Sequence, residues 1–155
     1  MINKTKRLAM GNDNLSEYAR KLALLEKEFR QIHHKLVHKK KTFNANQQKV
    51  YDFVTGRSQL IQFNINDKQY FIKRGNEKKG FEHILLRHYG EECKGRLSAV
   101  NILNIATTIK MGSVYVSEKN DYVSISNEFN GERYIVVLSK DRNDHWIVSY
   151  YSVEK

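Results

Sequence analysis

Proline is missing from all 155 residues, and cysteine occurs once, at Cys93. A single thiol excludes an intramolecular disulfide and any multi-cysteine zinc site, so the cysteine usage asks for no oxidising compartment. No apolar run approaches the roughly 20 residues that a membrane-crossing helix needs. The opening stretch MINKTKRLAMGNDNLSEY has basic residues with no apolar segment behind them, unlike a cleaved leader. The expectation is a cytoplasmic protein with no membrane partner. Walker and dinucleotide glycine patterns are absent, and the acidic neighbours of Cys93 in EEC disfavour a reactive thiolate, so no cofactor is expected.

Negative charge is also scarce. Against 27 Lys and Arg stand 17 Asp and Glu, a formal net charge of +10, which favours a polyanionic partner such as nucleic acid or an acidic protein. The excess is uneven: residues 1–43 hold 11 basic and 4 acidic groups, and residues 44–155 hold 16 and 13. In the first segment Leu15, Tyr18, Leu22, Leu25, Phe29, Ile32 and Leu36 recur at steps of three and four, one narrow apolar stripe along a helix from about Leu15 to Lys40. Asn14 and Glu17 have capping-box spacing at its start. Such a stripe wants one partner: its own domain, a second copy forming a homodimer through Leu15–Leu36, or another protein. The charged face is open to two readings, a basic arm on phosphates or a solvated surface. His34 and His38 have the four-residue spacing of a metal face, but Lys35, Lys39 and Lys40 crowd them, and no metal site is expected.

Past Lys41 the pattern changes. NANQQKVYDFVTG suits a short helix ending at Gly56 with Val50, Phe53 and Val54 on its apolar face. QLIQFNINDKQYFIKR alternates as a hairpin turning at Asn66, Asp67 and Lys68. Gly75 and Gly80 bracket a basic loop, Phe81 to Tyr89 follows as a helix, and a second helix is expected from Ser98 to Gly112. The rest reads as four strands, broken at Lys119–Asp121, at the hairpin signal Asn130-Gly131, and at Asp141–Asp144. The fold class expected is α+β: a long N-terminal helix, then a small antiparallel sheet made of a hairpin and a four-strand meander, with two helices on one face. Residues 1–43 form a basic helical arm and residues 44–155 the α+β domain.

The stretch KKGFEHILLRHYGEEC places His83, Arg87 and His88 within six positions of a chain that has six histidines. Phe81, Ile84, Leu85 and His88 share one helix face, so His88 is either a core-edge histidine bonded to backbone or a functional group. His83 and Arg87 share a more exposed face, and the first turn of the helix, with Lys78 and Lys79 near, favours an imidazole able to accept a proton. Metal-free RNA cleavage needs a base for the 2′-hydroxyl, an acid for the departing 5′-oxygen and cations on the phosphate. His83, His88, Arg87, and Lys73 or Arg74 supply that inventory, with Lys79 a further substrate contact.

KGFEHILLRHYG, followed by a helix and an antiparallel tail ending in HWIVSYYS, resembles the phage and mobile-element branch of the barnase, EndoU, colicin and RelE-like ribonuclease superfamily. The resemblance covers roughly Gly75 to Val153 at the level of element order. It implies an endoribonuclease, a toxin or phage effector, with His83, Arg87, His88 and Ser149 as catalytic residues and Tyr151 beside the substrate. Its partners would be RNA, tRNA among the candidates, and an antitoxin, immunity or host protein. The hairpin before the histidine helix and the basic arm have no counterpart in that pattern. The alternative from a different class is a non-catalytic basic protein whose N-terminal helix binds nucleic acid or inhibits a partner protein.

Overall fold

The computed structural model describes residues 16–117, 122–139 and 145–153 in full and the backbone alone of 13–15. The side chains of Leu15 and Asn14 and the breaks expected at Lys119–Asp121 and Asp141–Asp144 lie outside the described residues.

Helix α1 (Asp13–His38) turns its stripe inward. Leu25 and Phe29 are fully buried, Tyr18 is buried, and Leu22, Ile32 and Leu36 pack against the same core. The chain's own domain is therefore the partner of the stripe, and a homodimer through Leu15–Leu36 loses the surface it requires. Burying side chains of this size contributes about 1.5–3 kcal/mol each, which makes α1 a structural member of the core that residues 44–155 also build. The helix stops two residues before the expected Lys40, which turns left-handed at φ +58° while Lys39 and Lys41 donate to the Leu36 carbonyl at 2.9 and 2.8 Å.

Helix α2 (Ala45–Val54) starts at a capping box in which Asn44 and Gln47 bond each other's backbone N–H, and it buries Val50, Phe53 and Val54 as expected. Strands β1 (Ile61–Ile65) and β2 (Lys68–Ile72) form the expected hairpin, with Ile61, Phe63 and Ile65 inward and both turn residues, Asn66 and Asp67, at positive φ. Helix α3 spans Phe81–His88. The helix expected from Ser98 to Gly112 is broken at Asn104 into α4 (Ala99–Leu103) and α5 (Ile105–Met111). Asn104 explains the break: its side-chain amide donates back to the Val100 carbonyl at 3.0 Å and its oxygen accepts from Gln47 at 2.8 Å, a competition with the helix's own bonding. Ser98 caps α4 as expected.

Strands β3 (Ser113–Val116), β4 (Tyr122–Phe129), β5 (Glu132–Ser139) and β6 (His145–Val153) make the antiparallel meander, with Asn130-Gly131 as the β4–β5 turn. The hairpin joins it. Tyr70 and Phe71 of β2 pair in parallel with His145 and Trp146, giving one six-stranded sheet in the order β1-β2-β6-β5-β4-β3. A parallel contact between strands so far apart in sequence leaves no local signature, because the pairing follows from where the intervening helices place the chain. A register shift in β6 opposite Val137 and Leu138 adds one residue at Val148, so Ile147 and Val148 are both buried. Tyr150 lies in the core, its hydroxyl donating to the Asn101 carbonyl at 3.2 Å and 3.1 Å from the Thr108 hydroxyl.

Candidate active site at the edge of strand β6

Strand β6 is paired with β5 along most of its length, but β2 leaves it after Trp146. Two loops take over the bare edge. Val148, at the bulge, accepts from Gly80 N–H at 3.0 Å, and Ser152 donates its N–H to the Gly95 carbonyl at 3.1 Å and its hydroxyl to the Arg96 carbonyl at 2.7 Å. Helix α3 connects these two fastenings.

The helix is fixed by its carbon face and by its ends. Phe81, Ile84 and Leu85 are buried, and Phe81 meets Phe53 edge-on at 5.0 Å. At the C-terminus the ammonium of Lys21, 4 % exposed, donates to the carbonyls of Leu85 and Leu86 at 3.0 and 3.2 Å, with Glu92 at 3.6 Å as counter-charge. A cation there meets the negative end of the helix dipole, adding to the Tyr89 N–H that Leu85 already accepts from at 3.3 Å. At the N-terminus Glu82 is paired with Arg74 at 3.0 Å. The Arg74 guanidinium also lies 4.8 Å over the ring of Tyr18, whose hydroxyl burial pushes up to about 12. Arg74, expected as a substrate contact, thus ties the loop after β2 to α3 and α1 while about half of its side chain, 51 %, stays exposed.

His83 is aimed from two sides. Its Nδ1 donates to the Glu77 carbonyl at 2.9 Å, and its Nε2 stands 3.1 Å from the Ser149 hydroxyl. A carbonyl oxygen only accepts, so Nδ1 carries the proton and the lone pair of the neutral ring sits on Nε2. The loop before α3 presents that carbonyl: Asn76 accepts through its side chain from the N–H groups of Lys78 and Lys79 at 2.8 and 3.2 Å, closing a tight curl. Gly75 sits at φ +66° in this curl, where any Cβ would collide with the Lys79 carbonyl.

His88 repeats the arrangement. Its Nδ1 donates to the Lys94 carbonyl at 2.9 Å, and its own carbonyl accepts from Leu97 N–H at 2.6 Å. Burial holds its pKa below the ordinary 6.5, and the positive charges of His83, Arg87 and Lys21 act the same way, against the Lys94 hydrogen bond that favours the charged ring. Helical spacing puts His83 and His88 on different faces, yet the rings stand edge-on at 5.7 Å, and the ring of Tyr151 is 5.4 Å from His88. Both imidazoles turn toward β6, one to Ser149 and one to Tyr151.

Arg87 is exposed one turn from His83 and has no ion-pair partner among the described residues. The Lys73 ammonium lies 5.2 Å over the ring of Trp146, and both line a cavity of about 160 Å³ together with Lys79, Gly80 and Val148. The half-buried Trp146 is therefore one wall of a cationic pocket that ends at the residue before Ser149. A larger cavity of about 710 Å³ opens between α1, the loop after α3 and the β4–β5 turn. Its lining includes Glu28, Glu91, Glu92 and Glu132, which disfavour a phosphate.

The other histidines are placed differently. His33 packs on Phe43 at 5.0 Å, His145 bonds the Gln69 carbonyl at 3.1 Å, and His34 and His38 meet edge-on at 4.7 Å. Among the described residues no three His, Cys, Asp or Glu side chains converge as metal ligands.

Sequence reasoning missed Lys21 and the carbonyls of Glu77 and Lys94. Lys21 looks like one more surface charge on a basic helix, and no residue type announces a carbonyl that will orient an imidazole.

The fold is α+β, with two backbone-anchored histidines set against β6, an interior strand of a mixed sheet, where β2 has left it. No protein-family model, curated protein or solved structure matches the chain. No helix among the described residues is long and apolar enough to cross a membrane.

Proposed function

We propose that the chain is an endoribonuclease that cuts RNA without a metal, by attack of the 2′-hydroxyl on the adjacent phosphorus. The observation that carries this reading is the constellation of His83, His88 and Ser149: two imidazoles 5.7 Å apart, each with Nδ1 tied to a carbonyl, and one facing a hydroxyl at 3.1 Å. His88, held neutral by burial, takes the proton of the 2′-hydroxyl on Nε2. The 2′-oxygen bonds to phosphorus, the bond from phosphorus to the 5′-oxygen breaks, and His83, an acid in this reading in place of the proton acceptor expected from its helix position, delivers a proton from Nε2 to that oxygen. The products are a 2′,3′-cyclic phosphate and a 5′-hydroxyl.

Ser149 keeps the His83 ring in line in either protonation state, since a hydroxyl both donates and accepts. Arg87 and Lys73 stabilise the charge that grows on the phosphate, with Lys79 and Tyr151 as further substrate contacts. The nucleophile belongs to the substrate, so DNA is left intact. The activity fits a toxin or phage effector, with structured RNA such as tRNA as the target class and an antitoxin or immunity protein as its restraint.

Purified protein incubated with total RNA in EDTA tests this directly. Fragments with cyclic phosphate ends are expected from the wild type and not from His83→Ala; intact RNA in both samples removes the reading. In that event the exposed basic face of α1, with Lys27, Arg30 and Lys35 outward, favours the second reading, a basic protein that binds nucleic acid or a partner without cutting.

A further inference from the structure

Beyond the histidines, β6 continues into a groove of which the steps above use only His88 and Tyr151. It encloses about 700 Å³ and is lined by His88, Lys94, Gly95, Arg96, Glu132 and Tyr151 among others. The wall is built: Ser152 bonds the carbonyls of Gly95 and Arg96. Gly95 sits at φ +60°, and a Cβ there would lie 3.1 Å from Tyr151 Cβ and 3.3 Å from His88 Nδ1. The loop that orients His88 therefore packs closely against the Cβ of Tyr151 as well. The same loop carries Lys94 and Arg96, both exposed and neither in an ion pair among the described residues. At the rim, Glu91 and Glu132 disfavour a phosphate, and Glu132 accepts from the Tyr134 hydroxyl at 2.9 Å. A polyanionic strand is thus restricted to the Lys94–Arg96 side, with a flat aromatic surface beside it.

We infer that this groove seats the nucleotide on the 5′ side of the cut, its base against Tyr151 and its own 5′-phosphate on Lys94 and Arg96. The inference rests on the ribonuclease reading for its direction: the 2′-hydroxyl that His88 deprotonates belongs to the upstream nucleotide, and the groove begins at His88. A single strand fits such a site, because the base must be unstacked from its neighbours to lie on an aromatic ring. The substrate class is then single-stranded RNA bearing a phosphate one step upstream of the scissile one.

The test compares two dinucleotides, pNpN and NpN, which differ only in the 5′-phosphate, with wild type and with Lys94→Ala/Arg96→Ala. It adds the affinity of each protein for a 2′-O-methyl trinucleotide that cannot be cut, measured by fluorescence anisotropy over a salt series. The wild type is expected to favour pNpN in kcat/KM by roughly tenfold, the worth of a charge-assisted phosphate contact, and the double variant to bring that ratio near one. Affinity for the methylated strand falls in the double variant, and its salt slope becomes shallower by about 0.7 for each phosphate released. Equal urea midpoints confirm that the exposed substitutions leave the fold intact.

A wild-type ratio near one, or unchanged affinity in the double variant, overturns the groove while cleavage upholds the nuclease. Affinity that depends on Lys94 and Arg96 without any cleavage keeps the groove as an RNA site and removes the catalytic reading. Neither binding nor cleavage ends both.

Discussion

The burial of His88 is something that pH can read. His88 binds a proton less readily than an ordinary histidine because burial disfavours its charged form. In the proposed mechanism the base must be neutral, so activity is expected to fall as pH drops through the depressed pKa of His88. The acid limb of kcat/KM for the free enzyme is expected below the usual histidine value of about 6.5; a limb at or above that value would contradict the assignment of His88. His83→Ala and His88→Ala should each lower kcat by about 10²–10⁴-fold, with both variants retaining the wild-type unfolding free energy from urea melts at pH 7.5 within roughly 1 kcal/mol. Ser149→Ala should cost less, since it removes an orienting partner of His83 and not the proton carrier. Cyclic-phosphate yield under single-turnover conditions checks all three.

Among the elements, α3 depends on a lysine that belongs to another helix. Lys21 donates to two end carbonyls of α3 from a buried position, whereas Arg20, its neighbour, is an exposed partner of Glu17. Lys21→Ala leaves those carbonyls without a charged donor and is expected to destabilise the protein by about 2 kcal/mol. Arg20→Ala should change stability by less than about 1 kcal/mol, as exposed pairs do. Urea melts of the two variants make the comparison, and equal losses would show that the buried ammonium is not what fastens α3. The basic curl before α3 behaves similarly: Gly75→Ala forces a side chain into the Lys79 carbonyl at positive φ. It should disorder the loop that aims His83, reducing kcat more than it raises KM.

The whole molecule is bound together through α1. Leu25 and Phe29 are fully buried in the cluster that also holds Phe53, Phe63 and Leu85. Leu25→Ala is expected to cost about 2–5 kcal/mol, a large share of the roughly 5–15 kcal/mol that holds a domain folded. A chain starting at residue 44 should lose cooperative thermal unfolding; a sharp transition in that truncation would make α1 an appendage. Global stability also carries the imprint of His88. The unfolded chain takes up its proton at the ordinary value and the folded one only at a lower pH. Stability present above about pH 6.5 is therefore lost as pH falls through the window between the two values. Urea midpoints of wild type and His88→Ala measured from pH 7.5 to 5 should diverge in that window.

Much of this architecture is written in local pattern. The stripe of α1, the alternation of Ile61, Phe63 and Ile65, the Ser98 cap and the Asn130-Gly131 turn each reflect interactions between residues a few positions apart. Spacing alone predicts such contacts. The break at Asn104 escaped because Gln47, which holds the Asn104 side chain where it can bond back to the Val100 carbonyl, lies 57 residues away. The parallel junction of β2 with β6 and the bulge at Val148 escaped for the same reason.

Residue types alone point to His83, Arg87 and His88, but the approach of the two imidazoles to each other and to Ser149 and Tyr151 is not deducible from helix geometry, which separates His83 from His88. Local sequence determined which side chains the chain would own and which elements would carry them. Tertiary structure decided that the Glu77 and Lys94 carbonyls turn both imidazoles toward β6, and that Arg74 is spent on Glu82 and Tyr18. The physical reason is range: periodicity records what a residue's near neighbours require, while the direction of an imidazole depends on loops and strands that only the packed core brings beside it.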